Sequence, residues 1–233
     1  MERVRAVVSP PQRCRLSCPI CNLRKQKRFC LALHDHICAQ CCGEQREVTI
    51  DCPSECPYLQ QARLHEKTRE FGNSLPEEMF PAVVIREDFL ARHEPLIAGM
   101  AQTLTRIALS NRDLRDRDLI GALTNMVKSY QTLLASGLVY QEAMPNPAQQ
   151  AIIDVLAELL REFREVEAKQ LGYTSLKDRD ILQALVFTLR LIQLHTSGRP
   201  LSRAFIYFLQ ERFPAASTPL DSPSDAGSRI IIP

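Results

Sequence analysis

All nine cysteines of this 233-residue chain fall between Cys14 and Cys56, and that clustering constrains the fold more than any other feature. In order they read Cys14, Cys18-Pro-Ile-Cys21, Cys30, Cys38-Ala-Gln-Cys41-Cys42 and Cys52-Pro-Ser-Glu-Cys56, with His34 and His36 between. Paired cysteines two or three residues apart present two thiolates to one tetrahedral ion, and a structural zinc takes four such ligands. Cys18, Cys21, Cys30, Cys38, Cys41, Cys42, Cys52 and Cys56 therefore suffice for two four-cysteine zinc sites, leaving Cys14 spare. No catalytic carboxylate stands close by, so both ions are expected to be structural.

Spacing leaves two pairings open. In a cross-brace, Cys18, Cys21, Cys38 and Cys41 hold one ion. Cys30, Cys52, Cys56 and either Cys42 or His34 then hold the other. In a treble-clef arrangement, Cys38, Cys41, Cys52 and Cys56 share one ion and Cys18, Cys21, Cys30 and Cys42 the second. His34 and His36 are expected to face solvent or to support the ligands from outside. Cys14, if unligated, is a free thiol flanked by Arg13 and Arg15.

The apolar fraction, 45%, allows a proper core elsewhere in the chain. No apolar run approaches a membrane span, and Met1-Glu2-Arg3-Val4-Arg5 lacks the core of a signal peptide. The expected compartment is the reducing cytoplasm, where clustered cysteines bind metal more often than they form disulfides. The net charge of +2 is unevenly spread: residues 1–70 carry twelve Lys/Arg against eight Asp/Glu. Two Zn²⁺ bound by eight thiolates would offset that excess. Arg24, Lys25, Lys27 and Arg28, beside Phe29, form a basic loop that compensates the thiolates or grips nucleic acid.

Along the chain, residues 1–13 read as an extended arm and 14–72 as the zinc module with a following helix. Arg46–Ile50 alternates like a short strand. Pro53 suits a first helical turn, which would put Cys52 and Cys56 on one helix face up to about Phe71. Residues 73–85 are a linker with Pro76 and Pro81, and 86–213 a bundle of four to five helices. Its stripes run through Leu96–Ala108, Leu119–Leu134, Ile152–Val166 and Ile181–Ile192, with a shorter helix after Ser202. Asn146-Pro147 makes an N-cap and first-turn pair. Leu114-Arg-Asp-Arg-Asp-Leu echoes Leu176-Lys-Asp-Arg-Asp-Ile at an interval of 62, the mark of a duplicated helix pair or of recurrent capping. Both echoes lead towards Ser-Gly, at 136–137 and 197–198. Residues 214–233 form a polar tail with an apolar tip, Ile230–Pro233. The fold class is therefore mainly α.

Signals of catalysis are weak. Glu158, Glu162 and Glu165 interleave with Arg161 and Arg164, as on a solvated face. His195 is expected to close a helix.

The ligand order Cys18-Pro-Ile-Cys21, Cys30-x3-His34-x3-Cys38-x2-Cys41, Cys52-Pro-x2-Cys56 resembles that of RING fingers, which recruit ubiquitin-conjugating enzymes. The resemblance implies a ubiquitin ligase with Ile20 as an apolar contact. The Cys30–His34 and Cys52–Cys56 spacings are longer than is usual for the family. The segment Ile37-Cys38-x2-Cys41-Cys42-Gly43-x2-Arg46-x3-Ile50-x-Cys52-Pro53-x2-Cys56-x-Tyr58-Leu59 is similar to the cysteine-rich module of uncharacterised bacterial proteins that continue into a helical region. That similarity implies no activity. A non-catalytic interaction or regulatory protein with a protein partner is the expectation, with a RING-like ligase and a nucleic-acid-binding regulator as alternatives.

Overall fold

A computed structural model describes residues 17–70, 80–139 and 146–214. The arm 1–13, Cys14 and the tip Ile230–Pro233 lie outside these described residues. The protein is mainly helical, and it divides into two compact units, residues 1–68 and 69–233.

In the first unit, β1 (Arg28–Cys30) and β2 (Asp35–Ile37) form an antiparallel hairpin, with Phe29 opposite His36. Its turn places His34 at φ 51°, a left-handed conformation. Helix α1 (Ala39–Gln45) follows directly, capped by the Cys38 sulfur, which accepts from the Cys41 amide at 3.3 Å. Arg46–Ile50 is not the expected strand. It is a tight turn closed by a single bridge between those two residues, with Glu47 at φ 53°.

Helix α2 (Pro57–Glu70) begins four residues later than the sequence suggested. A helix running from Pro53 through Pro57 is self-contradictory. Pro57 has no N–H for the Pro53 carbonyl, and its ring would strike that carbonyl. Pro57 is therefore the first helical residue, while Cys52–Cys56 forms a turn in which the Cys56 amide donates to Pro53 O at 3.0 Å. The buried Glu47 carboxylate pairs with Arg63 at 2.8 Å and ties that turn to α2.

In the second unit a short α3 (Glu87–Arg92) precedes α4 (Glu94–Ser110), α5 (Asp116–Ser136), α6 (Pro147–Leu171), α7 (Asp178–His195) and α8 (Ala204–Arg212). As expected, the Asn146 side chain caps α6 by accepting from the Ala148 amide, with Pro147 behind it. Gly137 and Gly172 close α5 and α6 in the left-handed conformation that only glycine adopts without cost. Helix α7 stops at His195, two residues short of the expected Ser-Gly. Val166 near the end of α6 and Leu134 near the end of α5 face solvent instead of the core, so both stripes stop short of their expected ends.

The helices are arranged in an unobvious order. Helix α5 packs on α6 and α7, and α4 packs on α6 and α7, while neither α4 with α5 nor α6 with α7 makes an extensive contact. Chain neighbours joined by the loops 111–115 and 172–177 therefore sit across the diagonal of a four-helix bundle. Helix α8 covers α4, with further contacts to α7 and α5. The core runs through Leu96, Leu104, Leu119, Leu123, Ile152, Leu156, Ile181, Leu185 and Phe205.

The two echoed segments are built alike. Asp118 accepts from the Arg115 amide, and Asp180 from the Lys177 amide, each at 3.0 Å. Asp118 also reaches Asn146, the N-cap of α6, at 3.0 Å, and Asp180 lies 3.8 Å from His93, the N-cap of α4. Each helix pair thus anchors the first helix of the other. Residues 80–85 are no free linker: Arg190 donates to Phe80 O and Val83 O, and Gln183 to Val84 O, holding the segment on α7.

Candidate metal centre

Three short pieces of backbone converge on one point in the first unit. The Cys18–Cys21 knuckle folds back on itself, with the Cys18 amide donating to Arg24 O at 2.7 Å and the Asn22 amide to Cys18 O at 2.8 Å. Asn22 takes the left-handed conformation that this sharp return needs, at φ 54°. From the other side, β2 delivers Cys38 to the start of α1, and one helical turn later comes Cys41. The result is that the sulfurs of Cys18, Cys21, Cys38 and Cys41 all lie within 4.8 Å of one another.

The sulfurs of Cys21 and Cys38 are 4.0 Å apart. Zinc–thiolate bonds of about 2.3 Å at tetrahedral angles set neighbouring sulfurs about 3.8 Å apart, so the donor set fits a metal ion of that size and softness. Four thiolates would complete its coordination and leave no position for water.

The electrostatics point the same way. Backbone N–H groups of Leu23 and Arg24 draw the Cys21 thiol down to about 6. Burial acts against ionisation of Cys18, yet the amides of Cys38, Cys21 and Ile20 outweigh it and lower its pKa. Burial and then the neighbouring sulfurs of Cys38, Cys21 and Cys18 push Cys41 up to about 12. Four thiols this close cannot all ionise against one another, and a dication is what allows them to. Arg24 adds partial compensation: its hydrogen bond to Cys38 pushes the guanidinium higher still.

This grouping is the first site of the cross-brace. The treble-clef pairing of Cys38 and Cys41 with Cys52 and Cys56 is not what the structure forms. The remaining cysteines lie outside this group: Cys30 ends β1, Cys42 lies on α1, and Cys52 and Cys56 flank the turn before α2. Burial first, then Cys56, Cys30 and Glu47, push the Cys52 thiol up to about 11. Among the described residues, Cys18, Cys21, Cys38 and Cys41 are the one group of three or more such donors that meets the 4.8 Å distance. All eight described cysteines are free of disulfides. His34 and His36 are exposed, and His36 lies edge-on to Phe29 at 5.2 Å.

The basic loop is divided. Arg24 is committed to the thiolates, and Arg28 stacks over the Tyr58 ring at 4.7 Å. Lys25 and Lys27 line one hollow with Arg24, Gln40 and the first residues of α1. The two lysines form no ion pair among the described residues.

Elsewhere, Arg161 pairs with Glu158 and lies 3.8 Å from Glu165 on the exposed face of α6. His195 stacks on Phe208 with ring centres 3.8 Å apart, so it packs α8 against the end of α7. No described helix is long and apolar enough to cross a membrane. No protein-family model, curated protein or solved structure matches the chain.

Proposed function

We propose that the first unit is a structural module folded around two zinc ions, and that the chain is a non-catalytic cytoplasmic protein that binds a protein partner. The observation that carries this reading is the convergence of Cys18, Cys21, Cys38 and Cys41. Composition of the core supports it. The buried cluster of the unit consists of Cys18, Cys30, Cys38, Cys41 and Cys42 with Ile37 and Ile50 as its aliphatic members. Leu59 is also buried in the unit, and Ala32 and Tyr58 pack against the cluster. So few aliphatic side chains bury too little apolar surface to fold such a unit, and metal binding supplies what is missing. The second ion takes Cys30, Cys42, Cys52 and Cys56, the set that interleaves with the first. A thiol-rich site of this kind belongs in a reducing compartment. Ile20, Leu23, Phe29 and Leu33 stand exposed on this small unit and give a partner apolar contacts.

Metal analysis of the untagged protein, with free thiols counted before and after chelation, is the test. Two zincs per chain are expected, with a chelator freeing about eight thiols. One zinc would reduce the proposal to the first site, and none after reducing purification would end it.

The hollow lined by Lys25 and Lys27 favours one second reading, a nucleic-acid-binding regulator. On that reading the affinity for single-stranded oligonucleotide falls steeply with salt, and Lys25→Glu with Lys27→Glu weakens it at least tenfold at low salt, by roughly two lost phosphate contacts. Salt-insensitive binding, or none, would dismiss it.

A further inference from the structure

The second unit contains a cavity that no metal chemistry touches. It opens between α5 and α6 beside the start of α7, where α6 and α7 fail to pack on one another and leave part of α5 uncovered. Its volume is about 230 Å³. An apolar cavity of about 150 Å³ accommodates benzene, so this one has room for on the order of nine non-hydrogen atoms. Much of the wall is apolar, with Met126 and Leu133 on α5 and Ile153 on α6, and Asn125 and Ser129 of α5 also line it.

One end is polar. Arg164 and Asp178 line the cavity there and pair with each other through Nη2 and Oδ1 at 2.6 Å. The guanidinium is only partly used, since its Nε is buried and has no hydrogen-bond partner. The Tyr130 side chain lines the same end, and its hydroxyl makes no hydrogen bond among the described residues. Burial keeps that phenol protonated, so it can both donate and accept.

We propose that this cavity binds a small, neutral, ring-sized apolar molecule carrying one hydroxyl group. The apolar walls take the ring. The hydroxyl meets the unused hydrogen-bonding capacity of Tyr130, Arg164 and Asp178, which is what orients a ligand in a pocket of this type. Neutrality follows from the apolar part of the wall: a charged group against Met126, Leu133 and Ile153 would lose its water and find no counter-ion there, and Arg164 already has Asp178. This site is independent of the zinc module and of the partner reading above.

The test uses the full zinc-loaded chain and 4-methylphenol as probe, with toluene as the same shape without the hydroxyl. Titration should shift the Met126 methyl resonance saturably and raise the thermal midpoint of the helical unit. Toluene should bind about tenfold more weakly, the value of one unmade hydrogen bond. Ala157→Leu on α6 and Ser129→Leu on α5 fill the cavity from opposite walls, and either one, confirmed folded by circular dichroism, should abolish the Met126 shift. Equal binding by a filled variant would place the probe elsewhere, and no saturable shift in the wild type would show that the cavity takes no such ligand. Either result overturns the site. Toluene binding as tightly as 4-methylphenol would overturn the assigned ligand class.

Discussion

Cys38→Ser is expected to unfold the cysteine-rich unit while leaving the helical unit folded. Cys38 is one of the four converging sulfurs, it caps α1 by accepting from the Cys41 amide, and it is the hydrogen-bond partner of Arg24. A serine hydroxyl could still cap the helix, but it is no thiolate and would leave the ion three ligands. Structural zinc contributes on the order of 10 kcal/mol of apparent binding energy to small domains of this kind. A core of sulfurs with Ile37, Ile50 and Leu59 has no reserve of that size. The expected result is loss of at least one zinc per chain and collapse of the dispersed amide resonances of residues 17–65, with those of residues 86–212 retained. A dispersed spectrum from metal-free Cys38→Ser protein would show that the unit packs without an ion, and the structural role of the metal would fall.

Asp116→Ala is expected to cost about 3 kcal/mol, against less than about 1 kcal/mol for Asp178→Ala at the equivalent place in the echoed segment. The two aspartates open α5 and α7 with the same local sequence, yet they carry different loads. Asp116 is buried and accepts from the Ser202 hydroxyl at 2.7 Å and from the Phe205 and Ile206 amides at 3.3 Å. Its own amide donates to Ser202 O at 2.9 Å. It is the N-terminal anchor of α8, whose Arg203 supplies no side-chain cap. Alanine there would strand three buried donors and loosen Phe205 and Ile206 from the core. Asp178 is more than a third exposed and holds Arg164 alone, an ion pair that solvent screens. Denaturant midpoints of the two variants measure the contrast. Equal costs would mean that α8 is held by its apolar contacts and that the carboxylate is incidental.

The helical unit was largely legible because its signals are local and agree with one another. Asn146-Pro147 caps α6, the Leu-rich stripes bury over most of their length, and Asp118 and Asp180 make the same backbone cap. What the stripes could not say is where along a helix the packing against its neighbours ends, and Leu134 and Val166 read as core yet stand in solvent. The metal site was legible as a list of ligands and as two pairings, of which the structure forms the first site of one. The choice between them rests on the β1–β2 hairpin and on α1, elements of three and seven residues that are too short to show a period. The late start of α2 was written in the chain, since Pro57 forbids a helix begun at Pro53. The cavity had no sequence signal at all. Tyr130, Arg164 and Asp178 are far apart along the chain, and only the diagonal arrangement of the helices brings them together.

That diagonal arrangement decides what half of the bundle is. Helices α4 and α5 do not shelter each other, and neither do α6 and α7; each pair spends its apolar faces on the other. One pair by itself is therefore not a small domain but the equivalent of one subunit of a dimer, with its hydrophobic surface turned outward and its first helix waiting for an aspartate from the opposite half. Carrying both pairs on one chain turns a bimolecular assembly into an intramolecular one, and neither pair is expected to fold without the other.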